Sequence, residues 1–231
     1  MEELGLTAWN ELHGESGFDF SHHRFIDHVM PSLKFERDQP RVLEIGCGTG
    51  ACCCYFADRG FTVSGIDIEP KAIEMAQRFA LDRGHDLTYD VADICEWRGP
   101  GHTFDLIVDG HCLEHIALDH DRTRVYSAVK QMMAPGAYYI IATTIRDPKR
   151  DYGDDWITDD GIVYFPITDP DGFDDAIRHH DRWYLPNRRH LSSAALRDEA
   201  TKSGFPRFRS GGWRSTVDLD DGHRLIATER N

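Results

Sequence analysis

A chain of 231 residues suits one α/β domain with an elaboration, and a hydrophobic content of 40% is enough to fill its core. Its 40 acidic against 26 basic side chains leave a formal net charge of −14, so partners built on phosphate surfaces, nucleic acid or an anionic membrane, are not expected. No N-terminal charged-then-apolar signal segment is visible, and no apolar run approaches the roughly 18 residues of a membrane span.

Residues 1–40 read as a helical cap. From Ser21 to Leu33 the residues Phe25, Ile26, Val29 and Leu33 share one helical face, with Ser21 placed to cap it. Its aromatics, Trp9, Phe18 and Phe20 among them, either pack on the core or form a lid over a ligand. Glu36 to Pro40 links to Arg41-Val42-Leu43-Glu44-Ile45-Gly46-Cys47-Gly48-Thr49-Gly50, a buried strand running into a glycine-rich turn that opens a helix. That helix, Ala51 to Arg59, ends at Gly60. It carries Cys52, Cys53 and Cys54, which point in different directions and cannot jointly chelate one metal. With Cys47, Cys95 and Cys112 they show no paired spacing for zinc or a disulfide framework, so no metal is expected and a reducing cytoplasm is the default compartment.

Phe61 to Asp67 is a second strand ending in an acid, and Pro70 starts a helix reaching Gly84. Leu87 to Val91 is a third strand, followed by Ala92-Asp93-Ile94. Phe104 to Asp109 is a fourth, running into Gly110-His111-Cys112-Leu113-Glu114-His115-Ile116. A helix from roughly Arg122 to Met133 precedes Pro135-Gly136 and an apolar strand, Ala137 to Ile145. This alternation implies βαβ units around a parallel sheet covered on both faces. Residues 146–190 break the pattern with Asp, Gly and Pro punctuation among aromatics, and read as an ordered insertion. Their dense Asp run, Asp147 to Asp175, and the Arg-rich stretch from Arg178 to Arg214 read as two solvated faces that partly neutralise each other. Residues 191–231 resume with a helix capped by Ser192 or Ser193, then two strands joined at Asp220-Asp221-Gly222 as an antiparallel hairpin.

Ligands of an open α/β sheet lie off the carboxyl ends of its strands, where a carboxylate can accept hydrogen bonds from both ribose hydroxyls. Asp67 stands there, with Ile68 beside it able to pack on an adenine face. Asp93 can accept from an adenine amino group or simply serve as a helix N-cap. Taken in order, Glu44 with Gly46, Gly48 and Gly50, then Asp67, Asp93 and the 109–116 segment resemble the motifs of the class I S-adenosylmethionine-dependent methyltransferases, over roughly Arg41 to Ile145. The resemblance implies a doubly wound, seven-stranded, mostly parallel sheet with an antiparallel C-terminal hairpin strand. It also implies S-adenosyl-L-methionine as cofactor and S-adenosyl-L-homocysteine as product. Carried over by position, the turn from Gly46 through Cys47 and Gly48 to Gly50 passes the methionine part, supported by Glu44. Asp67 with Ile68 holds the ribose side, Asp93 with Ile94 the adenine, and the backbone at Asp109 and Gly110 lies near the sulfonium.

Chemically, the resemblance points to O- or N-methylation of a small molecule. The cap and the insertion would line the acceptor pocket through Trp9, Phe18, Phe20, Trp156, Tyr164, Phe165, Trp183 and Tyr184, with Arg188, Arg189 and His190 close in sequence. A general base, where used, is His115 or His111; either can equally be a histidine of the pocket wall. His111-Cys112-Leu113-Glu114-His115 also spells the H-x-x-E-H metalloprotease pattern, which belongs inside a long helix rather than after a buried strand. Two other readings stay open: a nicotinamide-dependent oxidoreductase of the same general fold, and a non-catalytic S-adenosylmethionine-binding protein acting through a partner. Self-association as a homodimer is also left open.

Overall fold

The computed structural model describes residues 26–27, 29–205, 207–214 and 222–229, the last two segments as strands known by their backbone. Trp9, Phe18, Phe20, the cap Ser21, Phe25 and the turn residues Asp220 and Asp221 lie outside them. Among the described residues no helix is long and apolar enough to cross a membrane.

Five strands, β1 (Arg41–Ile45), β2 (Thr62–Asp67), β3 (Thr88–Val91), β4 (Phe104–Gly110) and β5 (Met133–Thr144), pair in parallel, with β1 between β2 and β4. The insertion supplies β6 (Trp156–Ile157), β7 (Ile162–Ile167), β8 (Ile177–His179) and β9 (Arg182–Arg189) to a separate sheet. The hairpin β10 (Phe208–Arg214) and β11 (Gly222–Glu229) closes the main sheet, and β11 runs antiparallel to both β10 and β5. The strand order is β10-β11-β5-β4-β1-β2-β3, as expected for seven strands with one reversed.

Strand residues alternate between two cores, one on each face of the sheet. Leu43, Ile45, Ile107, Tyr139 and Ile141 join the face covered by α3 (Asp119–Met132) and α4 (Ser193–Lys202), through Val125, Tyr126, Val129, Met132, Leu196 and Ala200. Val42, Val63, Leu106, Val108 and Ile140 join the face covered by α1 (Ala51–Ala57) and α2 (Pro70–Asp82), through Cys53, Phe56, Ile73, Ala76 and Ala80. Helix starts follow local chemistry: Pro70 occupies the first turn of α2, and the Ser192 side chain accepts from the Ala195 N–H at the head of α4. Pro135 and Gly136 fall inside the first part of β5 rather than before it, where the register against β4 shifts and Gly136 takes a φ of 75°.

That the insertion forms a sheet of its own is something the sequence pattern did not announce. Its strands pair antiparallel in the order β6-β7-β9-β8. Pro166 and Pro186 sit inside paired strands, and a register shift between Val163 and Tyr164 interrupts the ladder. Arg189 fastens this sheet to the main domain. It donates to the Ala117 carbonyl and pairs with Asp119 and Asp160.

A second arginine locks the main domain below the strand ends. Arg122 on α3 is 2% exposed. Its Nε and Nη2 pair with Glu199 of α4 at 2.6 and 2.8 Å, and its Nη1 donates to the carbonyls of Leu113 and Ile116. Arg122→Ala strands Glu199 and two carbonyls at once. We expect a loss of about 3–5 kcal/mol, read as a lower urea midpoint, whereas Arg122→Met with Glu199→Leu should recover only the part due to Glu199, because the Leu113 and Ile116 carbonyls stay without their donor.

Candidate functional site

The glycine turn is clamped to the end of β2. Cys47 N–H donates to the Ile66 carbonyl at 2.9 Å, and Gly48 N–H donates to Asp67 Oδ2 at 2.8 Å. The other oxygen, Oδ1, accepts from Glu69 N–H at 2.9 Å. Burial raises the Asp67 pKa, opposed by the N–H groups of Glu69 and Gly48. Each carboxylate oxygen keeps a further lone pair for a ligand hydroxyl.

The glycines serve different ends. A Cβ on Gly46 would come within 2.6 Å of Cys112 Cβ, and one on Gly50 within 2.6 Å of the Tyr89 hydroxyl, so both let elements approach closely. Gly48, with φ at 52°, would meet nothing within 4 Å: the space above the turn is open. Just after Asp67, Ile68 is 67% exposed, and Val91, which pairs with Asp67 at the end of β3, is 52% exposed. A carboxylate, an open turn and two uncovered apolar side chains at adjoining strand ends fit the ribose and base of a nucleoside.

Other expected residues fall differently. Asp93 is exposed, and its Oδ1 accepts from Cys95 N–H at 2.8 Å, so it caps a short turn rather than the start of a helix. The Ile94 side chain lies in the core at 5% exposure; Val91, which the sequence reading did not single out, takes the open position. Cys47 is buried, 5% exposed. Glu44 turns to α1, where Cys53 Sγ donates to its Oε2 at 3.0 Å, and burial pushes its pKa up to about 8. The aromatics Trp156, Tyr164 and Tyr184 pack largely against one another and His179, whose ring stacks on Trp156 at 4.0 Å.

After β4 the chain makes a turn held by buried acids. Asp109 is fully buried and faces inward: Oδ1 accepts from the N–H groups of Cys112 and Leu113, and Oδ2 from the Tyr139 hydroxyl at 3.1 Å. Desolvation raises its pKa to about 6 against those bonds. Gly110 ends β4 with only its backbone to offer there, and His111 follows with φ at 71°, uncommon for a side chain bearing a Cβ.

Leu113–His115 form one 3-10 turn, not the long helix a metalloprotease motif needs. Within it Glu114 is 5% exposed and receives Thr144 N–H at 2.6 Å and Thr143 Oγ1 at 3.3 Å; its Oε2 also stands 2.9 Å from His111 Nδ1. Burial would raise its pKa, but His111, His115 and the Thr144 N–H overcome that and hold Glu114 well below the usual carboxylate range. The reading from sequence passed over Glu114 except as a letter of the H-x-x-E-H pattern; its spacing of three from His111 was the available signal.

His115 presents its ring outward, 51% of the side chain open to solvent, with Nε2 3.9 Å from Glu114 Oε1. Partial desolvation by the surrounding chain, with Arg188 and His111 adding to it and Glu114 opposing, lowers its pKa below 6.5. Neutral imidazole at pH 7 can accept a proton.

A family model described as "Methyltransferase domain" matches residues 42–136. The chain is 37% identical over 101 residues to the 2-heptyl-1-hydroxyquinolin-4(1H)-one methyltransferase of Mycobacteroides abscessus, covering 43% of this chain and 44% of that one. It is 34% identical over 112 residues to the ubiquinone biosynthesis O-methyltransferase of Brucella anthropi, covering 48% and 44%. These alignments thus span less than half the length of either relative. Among solved structures, the 1,6-didemethyltoxoflavin-N1-methyltransferase of Burkholderia thailandensis, with 1,6-didemethyltoxoflavin and S-adenosylhomocysteine bound, superposes with a TM-score of 0.66, covering 100% of this chain and 87% of that one. At 14% identity that likeness is one of fold.

The raised acids make stability depend on pH. Between the ordinary 4.5 of Glu44 and its folded value of about 8, the folded chain binds a proton that the unfolded chain has released, so stability falls as pH rises through that window. Asp109 acts in the same sense below about 6. Chemical denaturation of Glu44→Gln, which cannot ionise, should show a gain over wild type that grows from about pH 5 to about pH 8. An unchanged gap would place the slope elsewhere.

Proposed function

We propose that this chain is a class I S-adenosylmethionine-dependent methyltransferase, a reading supported by the methyltransferase-domain match over residues 42–136, and that it transfers a methyl group to a small-molecule acceptor. The observation that carries the reading is the Asp67 carboxylate holding the open Gly48 turn at the end of β2. Asp67 would hold the ribose hydroxyls, Ile68 and Val91 the base, with Asp93 and the Ile94 backbone at its edge. The turn from Gly46 through Gly50 would pass the methionine part, and the backbone of Asp109 and Gly110 the reacting end. When bound, S-adenosylmethionine supplies an electrophilic methyl on a sulfonium.

The protein's remaining tasks are alignment and proton transfer. His115, neutral and open, accepts the proton that a hydroxyl or ammonium acceptor must lose. Glu114 keeps the turn beneath it rigid by gripping β5 through Thr144, and its negative charge stabilises the imidazolium that forms. His111, bound to Glu114, supports that acid. The small-molecule class is supported by the two relatives, whose names point to a hydroxyquinolone and to ubiquinone biosynthesis. We place the protein in the reducing cytoplasm, since all six cysteines are free thiols.

Calorimetry tests the assignment. S-adenosylmethionine and S-adenosylhomocysteine should bind, Asp67→Ala should weaken both roughly tenfold or more, and NAD should not compete. Tight NAD binding with neither of the others would restore the oxidoreductase reading. For the base, His115→Ala should cut turnover roughly a hundredfold while S-adenosylhomocysteine affinity stays within about twofold. Wild-type turnover should rise with pH through a value below 6.5 and then level off, because only the unprotonated ring accepts. Equal losses of turnover and cofactor affinity in His115→Ala would make the ring a wall of the pocket.

A further inference from the structure

Three basic side chains follow one another at the end of β9, and the fold employs them differently. Arg189 is taken up by Asp119, Asp160 and the Ala117 carbonyl. His190 is buried against the Tyr152 hydroxyl at 3.0 Å. Arg188 is left over: among the described residues its side chain makes no hydrogen bond or ion pair, and its Nε is buried with no acceptor.

A guanidinium cannot shed its charge, and a buried N–H without an acceptor is a cost that native structures retain for a reason. Arg188 is also well placed for one. Strand β9 packs against the 3-10 turn that carries His115. The Arg188 charge is felt at that ring, where it helps hold the imidazole neutral. Asp155 registers the same charge, but no ion pair joins them.

We propose that Arg188 binds an anionic oxygen of the methyl acceptor, a carboxylate or an ionised hydroxyl, and so selects acidic small molecules over neutral ones. The inference rests on the methyl-transfer reading and names the substrate class of that same site. A guanidinium offers a planar fork of donors that matches a carboxylate. It also stabilises the oxyanion left when His115 takes a proton from an acidic hydroxyl, and it disfavours an ammonium acceptor. With a net charge of −14 and the Asp run of the same insertion, the protein otherwise repels anions, so an uncompensated arginine is what would admit one.

The test uses the full chain saturated with S-adenosylhomocysteine, titrated calorimetrically at fixed ionic strength with matched pairs. These are salicylate against salicylamide, 4-hydroxybenzoate against 4-hydroxybenzamide, and 4-nitrophenolate against nitrobenzene, the last separating an ionised hydroxyl from a carboxylate. Wild type should prefer the anion in at least one pair. Arg188→Ala should lose that anion's affinity by roughly ten- to a hundredfold with little change for its neutral partner, and Arg188→Lys should recover part. No anion preference in any pair, or a preference that survives in Arg188→Ala, overturns the proposal. S-adenosylhomocysteine binding is measured first on all three proteins. Its failure in wild type sinks the methyl-transfer reading. Retention in all three, with no anion preference, sinks the role of Arg188 alone.

Discussion

Burying a carboxylate is costly unless donors meet it, and Glu114 gathers three of them on its Oε2, tying two elements together. Its bonds to Thr143 and Thr144 tie the turn after β4 to the end of β5, and its contact with His111 fixes the first residue of that turn. Asp109 caps the same turn from the core side, and Arg122 satisfies its carbonyls from α3. Two inward acids and one buried arginine thus hold the 109–116 segment on all sides. His115 is thereby presented from a rigid mount, although it stands on a connection rather than a strand or helix.

Much of the main sheet was legible because its signals are local. A buried strand, a turn requiring φ above zero and a helix start lie within ten residues, from Arg41 to Gly50. The strand-end position of Asp67 follows once β2 is recognised. Ser192 as the cap of α4 is likewise a neighbour's bond. Asp109 was read for its backbone alone: nothing in the run Phe104 to Gly110 says that the side chain turns into the core to meet Tyr139, 30 residues on. Ile94 and Val91 exchange expected places for a similar reason, since which of two apolar neighbours is covered depends on helix packing far along the chain.

The insertion was legible as ordered but not as a sheet. Pro166 and Pro186 break the usual strand pattern, and a bulge shifts the alternation midway, so the period-two signal is lost. Its aromatics, expected to line a pocket, largely stack within the sheet, as Trp156 does on His179. Arg188 and Arg189 are indistinguishable as letters. Only the placement of β9 over the 113–115 turn separates an anchor from a side chain left unpaired.

The cysteines of α1 carry a different consequence. Cys52, Cys53 and Cys54 lie in the core behind the glycine turn, each at most 3% exposed, and burial raises the pKa of each thiol, that of Cys54 to about 11. A thiolate is the reactive species, so in the closed fold these side chains are inert on two counts, access and ionisation. Their alkylation therefore requires that α1 lift away from the sheet, and its rate reports the opening equilibrium of the half that carries the glycine turn. The helix beneath the turn doubles as a built-in chemical clock for local unfolding.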